Sequence, residues 1–219
     1  MQAMGGEKGW DSAHFVRFDF KVTIGGEERV NRRHLWDKFS GRYRFEQPTQ
    51  DGKQQVILFN VNDRQGSVWV DGQKLEAEAA AEPLKQAYGA FINDMYWLAM
   101  PWKWLDSGVN LKYLGDKERE GKAYELVELT FGNVGLTPGD MYHAYVAKDS
   151  NLMTYWEYTL QSDNKGAWNW EYGDHGGIKL ASNHTNAEGA SIHMGDVAVF
   201  SEVEEAYFTD PARPIAGLK

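Results

Sequence analysis

Val16, Phe18, Phe20, Val22 and Ile24 alternate with Arg17, Asp19, Lys21 and Thr23, the period-2 signature of a strand with one dry and one wet face. Gly25-Gly26-Glu27 turns the chain back, and a second strand is predicted over 30–39. Ser40-Gly41 breaks it, and Tyr43 and Phe45 then alternate with Arg42, Arg44 and Glu46 in a third. Asp51-Gly52 is a hairpin signal. The run Gln55-Val56-Ile57-Leu58-Phe59-Asn60-Val61 predicts a strand buried on both faces, followed by another at 68–70.

The period changes at Leu75. Residues 75–93 are rich in alanine and glutamate and predict the one long helix, with Ala87, Tyr88, Phe91 and Ile92 on one side. Pro83 belongs either in a first turn or between two short helices. A shorter helix over 1–11 is interrupted by Gly5-Gly6. Extended structure is expected to resume after residue 93, with Pro101 making the aromatic segment 95–104 a strand edge or loop. Strands follow at 109–114, 124–131, 142–146, 152–160, 168–172, 178–184 and 191–202, with a turn at 135–140. Hairpin spacing with a single helical insertion and no linker predicts a mainly β fold, a curved antiparallel sheet or barrel of about ten strands with a helical lid. It forms a single domain over 1–219.

Composition adds one unusual fact. The chain has 9 Trp, 11 Tyr and 10 Phe among 219 residues, yet its mean hydropathy is −0.59, so its apolar mass sits in rings rather than aliphatic runs. Such rings suit a surface that is dry on one side and wet on the other, although a bulky β core also uses them. The net charge of −9 repels phosphate backbones, so no nucleic-acid partner is expected. The one basic run, Arg29 to His34, reads as a solvated edge, with contact to an anionic head group as the alternative. There is no cysteine, which excludes thiol catalysis and Cys-ligated metals. No stretch approaches the ~20 apolar residues of a membrane helix, and any signal segment is expected to have been removed.

Val16, Phe18, Phe20, Trp156, Tyr158, Trp168, Trp170 and Tyr172 occupy the apolar faces of alternating strands and are the candidate lining of a ligand cavity. The competing expectation is that they pack against the helix and leave no space. Trp97, Trp102 and Trp104 flank Pro101 and are candidates for a mouth or gate. Catalysis has little support. There is no Gly-x-Ser-x-Gly elbow, and the nearest arrangement, Ser191 and His193 with Asp196, places the pair side by side on one strand face without aiming the imidazole. The six histidines are dispersed. Only His184 and His193, across a turn near 186–189 and with Asp174 or Asp196, suggest a metal, and neither a cofactor nor a metal is expected. Glu157 and Glu171 fall on polar strand faces, so a glycosidase pair is not expected, but stacked Trp168, Trp170 and Tyr172 could serve a carbohydrate-binding module.

Taken in order, the Gly-Gly helix, the Arg42-Tyr43-Arg44-Phe45-Glu46 strand, the buried strand at 56–61, the lid helix and Asn93-Asp94-Met95-Tyr96-Trp97-Leu98-Ala99-Met100-Pro101-Trp102-Lys103 form a pattern. Leu129-Thr130-Phe131, the 135–140 turn and Trp156-Glu157-Tyr158 continue it. Over roughly 10–205 it resembles the bacterial LolA-like lipoprotein-sorting superfamily, in particular its lipoprotein-like branch with a Tyr-Trp-Leu-x-Met-Pro segment. The resemblance implies an unclosed β-barrel, a helical lid over an apolar cavity, a periplasmic or outer-membrane address, and binding of acyl chains, with a membrane-associated lipoprotein as partner. Carriers of this family latch the lid with an arginine, and Arg42 and Arg44 both stand near the expected strand. The expectation is a non-catalytic binding or carrier protein for a lipid or other hydrophobic small molecule. A carbohydrate-binding module and a hydrolase are the alternatives.

Overall fold

The computed structural model describes residues 1–132 and 136–218. Gly135, at the start of the predicted 135–140 turn, lies outside the described residues. From residue 137 that turn is formed, the Asp140 amide donating to the Thr137 carbonyl at 3.1 Å.

The described residues form one open antiparallel sheet of thirteen strands. The strands are β1 (Phe15–Ile24), β2 (Glu27–Asp37), β3 (Arg42–Pro48), β4 (Gln54–Asn60), β5 (Gly66–Val70), β6 (Gln73–Lys74) and β7 (Val109–Arg119). Then come β8 (Lys122–Phe131), β9 (Met141–Ala147), β10 (Met153–Thr159), β11 (Lys165–His175), β12 (Ile178–Thr185) and β13 (Ala190–Phe200). Across the sheet the order is β6-β5-β4-β3-β2-β1-β13-β12-β11-β10-β9-β8-β7. Two meanders are thus joined where β1 pairs with β13, Phe15 opposite Phe200 and Ile24 opposite Ala190. The expectation of about ten strands is corrected to thirteen. A strand as short as the two-residue β6 has no alternation to read in the sequence.

Among the described residues five helical elements accompany the strands: 3-10 turns at Gln2–Met4 and Met100–Lys103, and the helices α1 (Gly6–Ser12), α2 (Ala77–Ala99) and α3 (Ala206–Thr209). Helix α2 connects β6 to β7, so it carries the chain from one edge of the sheet to the other. It runs unbroken through Pro83. The proline neither starts the helix nor divides it, because packing of Ala80, Ala87 and Ala90 against Tyr43, Phe45, Ile57, Phe59 and Val68 outweighs one missing amide donor.

The segment 95–104 is not extended as expected. Residues 95–99 complete α2, and Met100–Lys103 form a 3-10 turn with Pro101 near its start. Proline fits there because the first amides of a helical turn have no internal acceptor. Met95, Leu98, Ala99 and Trp102 are all buried and recur at helical, not strand, spacing.

The main core lies between α2 and the concave face of the sheet, where Val16, Phe18, Phe20, Trp156, Trp168, Trp170, Ile178 and Leu180 meet Met95, Leu98 and Met100. A smaller cluster on the outer face packs Phe15 and Leu35 beneath Phe208 and Ile215 of the C-terminal segment. That segment is held by arginines. Arg44 donates to the carbonyls of Tyr207, Asp210 and Pro211, and Arg17 to the carbonyl of Leu218.

Candidate functional site

A cavity of about 530 Å³ opens between the C-terminal half of α2 and the strands β7 to β10. Ile92, Asn93 and Tyr96 face it from the helix, and Phe131, Tyr142, Trp156 and Tyr158 from the sheet; Trp10 of α1 and Trp36 of β2 also line it. Strand alternation places Tyr142, Trp156 and Tyr158 on one face, since Trp156 pairs with Ala144 and Tyr158 with Tyr142. The rings form a continuous wall. Tyr142 stacks on Trp156 at 4.8 Å between centroids, Phe131 meets Tyr142 edge-on at 5.7 Å, and Tyr96 lies 5.6 Å from Tyr142.

The polar groups stand at few points. Lys103 donates to Asp106 at 2.6 Å. Asp140 accepts from the Thr137 hydroxyl at 2.6 Å, the Gln161 amide at 2.9 Å and the Tyr142 hydroxyl at 3.4 Å. Burial pushes the Tyr96 hydroxyl well above the ordinary tyrosine range, with Tyr142, Asp106 and Asp140 acting in the same direction. Burial and then the charge of Asp140 raise Tyr142 as well. Both hydroxyls stay protonated; that of Tyr142 is directed at Asp140, and that of Tyr96 can donate to a guest.

The sequence-derived residues divide into two groups. Trp97, Trp156 and Tyr158 line the cavity. Val16, Phe18, Phe20, Trp168 and Trp170 are packed in the core, and Tyr172 donates to the Met153 carbonyl at 2.7 Å. Trp102 is buried, stacked on Trp10 at 5.2 Å and donating to the Lys179 carbonyl. Trp104 packs beside it with its indole directed at the Met100 sulfur. Tyr96, Phe131, Tyr142 and Asp140 escaped the sequence reading. The alternation Leu129, Phe131 and Tyr142, Ala144, Val146 was available for two of them, and Tyr96 was hidden by taking its segment as extended.

Behind the cavity, α2 is fastened to the sheet by a buried polar cluster. Asp94 accepts from the Arg32 guanidinium at 3.0 Å on each carboxylate oxygen and from the Asn93 side chain at 2.8 Å. His34 Nε2 lies 3.2 Å from Asp94 without hydrogen-bond alignment, and its Nδ1 pairs with the Tyr43 hydroxyl at 2.8 Å. Burial lowers the His34 pKa against the opposing pull of Asp94. The basic run 29–34 is therefore a solvated edge only in part: Arg29 is exposed and β2 pairs with β3 only from Arg33 onward, whereas His34 is buried and Arg32 is engaged by Asp94. β2 lies inside the sheet between β1 and β3, and alternation turns Arg32 and His34 toward the helix. Arg42 and Arg44 do not contact the helix. Arg42 pairs with Asp37 and Glu205, and Arg44 with Glu46, on the outer face.

His184 and His193 cannot share a metal. Asn183 is the residue opposite His193, so the two histidines point to opposite faces, His184 buried and His193 exposed. Among the described residues no group of three or more His, Asp or Glu could hold a metal ion, and no hydrogen bond joins Ser191 to His193. Glu157 and Glu171 are engaged outside by the Tyr145 hydroxyl and the Asn183 side chain.

His184, 0% exposed, sits between Trp97 and Trp170, and burial depresses its pKa to about 3. The unfolded chain takes up a proton near 6.5 that the folded chain refuses. Stability is therefore full above that pH and falls as the pH drops from 6.5 toward 3, by at most ~1.4 kcal/mol per pH unit from this residue. Urea midpoints measured from pH 7 to pH 5 should show that slope reduced in His184→Phe by about 1 kcal/mol per unit.

No protein-family model matches the chain, and no curated protein matches it. Among solved structures it is similar to a DUF1329 family protein from Desulfovibrio piger, with 14% identity, 94% of this chain and 97% of that chain covered, and a TM-score of 0.49. It is similar to a LolA superfamily protein from Nitrosomonas europaea, with 11% identity, coverage of 89% and 88%, and a TM-score of 0.49. It is also similar to a putative outer membrane lipoprotein-sorting protein domain from Vibrio parahaemolyticus, with 11% identity, coverage of 92% and 96%, and a TM-score of 0.45.

Proposed function

We propose that the protein is a non-catalytic carrier that holds one apolar chain, an acyl chain or a molecule of similar girth, in the cavity beside α2, and that it works outside the cytoplasm. The observation that carries this reading is the 530 Å³ of space walled by rings and aliphatic side chains, within the ~300–1,000 Å³ of small-molecule sites. A guest there gains ~25 cal/mol for each Å² of apolar surface removed from water. At ~30 Å³ per small group, the share of a water molecule in the liquid, the space takes roughly 18 heavy atoms, one chain rather than several. The sugar alternative needs exposed ring faces, whereas Trp168 and Trp170 are buried.

Gly89 supplies the test. It lines the cavity, and a Cβ there would meet nothing within 4 Å. Gly89→Phe should place a ring in or across the space and weaken binding of a nonionic environment-sensitive dye about tenfold, about 1.4 kcal/mol, without lowering the melting temperature. Organic extracts of the purified wild type should contain lipid, and extracts of the variant much less. A wild type that binds neither dye nor lipid would defeat the reading.

A further inference from the structure

The cavity wall carries a charge imbalance that a simple acyl site does not need. Among the described residues, the other buried ionised side chains each have a counter-charge: Arg17 with Asp196, Asp19 with Arg33, Asp37 with Arg42, Arg44 with Glu46, and Asp94 with Arg32. Asp140 is the exception. It is 5% exposed, it faces the cavity, and its three partners are a threonine hydroxyl, a tyrosine hydroxyl and a backbone amide, all neutral. A carboxylate withdrawn from water without a cation is costly unless something supplies one. Lys103, the one basic residue on the cavity wall among the described residues, is already neutralised by Asp106 at 2.6 Å. Tyr142, two residues further along the chain, reaches Asp140 with its hydroxyl, and its cross-strand partner Tyr158 has its ring 6.2 Å from that of Tyr142; the faces of such rings attract cations.

We propose that the guest is an amphiphile with a positively charged head, an alkylammonium or choline-type group, seated between the Asp140 carboxylate and the rings of Tyr142 and Tyr158. This rests on the carrier reading above and narrows it. The tail lies against the apolar wall, and a fatty-acid anion is disfavoured by the same carboxylate that favours the cation.

The test uses three ligands with one tail, dodecyltrimethylammonium, dodecanol and dodecanoate. Each competes below its micelle concentration against a nonionic dye, at neutral pH and low salt. The wild type should bind the ammonium at least about tenfold more tightly than the carboxylate, a difference of about 1.4 kcal/mol, with dodecanol between them. Asp140→Asn keeps the shape, with its oxygen placed to accept from the Gln161 amide and its NH2 facing the hydroxyls, and should shrink that ratio to about twofold or less, weakening the ammonium more than dodecanol. Glu171→Gln removes an exposed charge on the outer face and should leave the ratio alone. Equal binding of all three ligands, equal loss of all three in Asp140→Asn, or a ratio that shrinks as much in Glu171→Gln would each overturn the charged-head assignment while the carrier reading stands. Failure of dodecanol and the others to displace the dye at all would remove the carrier reading itself.

Discussion

Asp94→Ala is expected to destabilise the protein by about 3–5 kcal/mol, the range for removing one member of a buried ion pair. Asp94 is 0% exposed, and it is the acceptor on α2 for the Arg32 guanidinium. Its loss leaves the arginine facing a helix with no acceptor, and His34 loses the neighbour that offsets part of its burial. Arg32 keeps some access to water, which places the effect toward the lower end of the range. The measurement is a urea unfolding curve with unchanged slope and a lower midpoint. Asp94→Asn, which keeps the volume and loses the charge, should fall between the two. If Asp94→Ala costs under about 1 kcal/mol, apolar packing rather than the ion pair fastens the helix.

Replacement of Arg44 should produce a loss of the same size with a different signature. Arg44 is fully buried, pairs with Glu46 at 2.7 Å, and holds three carbonyls of the C-terminal segment at 2.7–3.0 Å. In Arg44→Met the carboxylate of Glu46 and those carbonyls lose their donors together, at about 3–5 kcal/mol for the charge alone. Arg44→Lys should recover only part of it, because one ammonium cannot span three acceptors laid out for a planar fork. Because the segment is tied at few points, amide exchange and limited proteolysis should show residues 203–218 released before the sheet opens. Simultaneous loss of the sheet and the segment would show that they form one cooperative unit.

Strands and hairpin positions were legible where alternation is clean and a glycine-bearing turn follows, as in Val16 to Ile24 before Gly25-Gly26, whereas the order of strands in the sheet was not. Neither was the end of α2. Tyr96, Trp97, Trp102 and Trp104 around Pro101 have the composition of a strand edge, and only the burial of Met95, Leu98, Ala99 and Trp102 reveals the helical period. The partnership of Arg32 with Asp94 joins residues 62 positions apart, and nothing local in Arg29 to His34 distinguishes an inward arginine from a solvated one. The cavity was foreseeable as an aromatic surface but not in its location. Trp168 and Trp170 share the alternation of Trp156 and Tyr158, and only the path of α2 over the sheet determines which rings are covered and which border open space.

The junction of β1 with β13 has a kinetic consequence. Every other neighbouring pair in the sheet is a hairpin between consecutive strands, formed by short-range closure, but this one brings residues 15–24 against 190–200. Such a contact is slow to reach, because the loop entropy must be lost before pairing rewards it. Each meander can therefore zip early, while completion waits until the chain has emerged through Phe200. Until then, the unpaired margin of β1, with Val16, Phe18 and Phe20 on its inner side, is a sticky strand edge that a holding chaperone would need to shield.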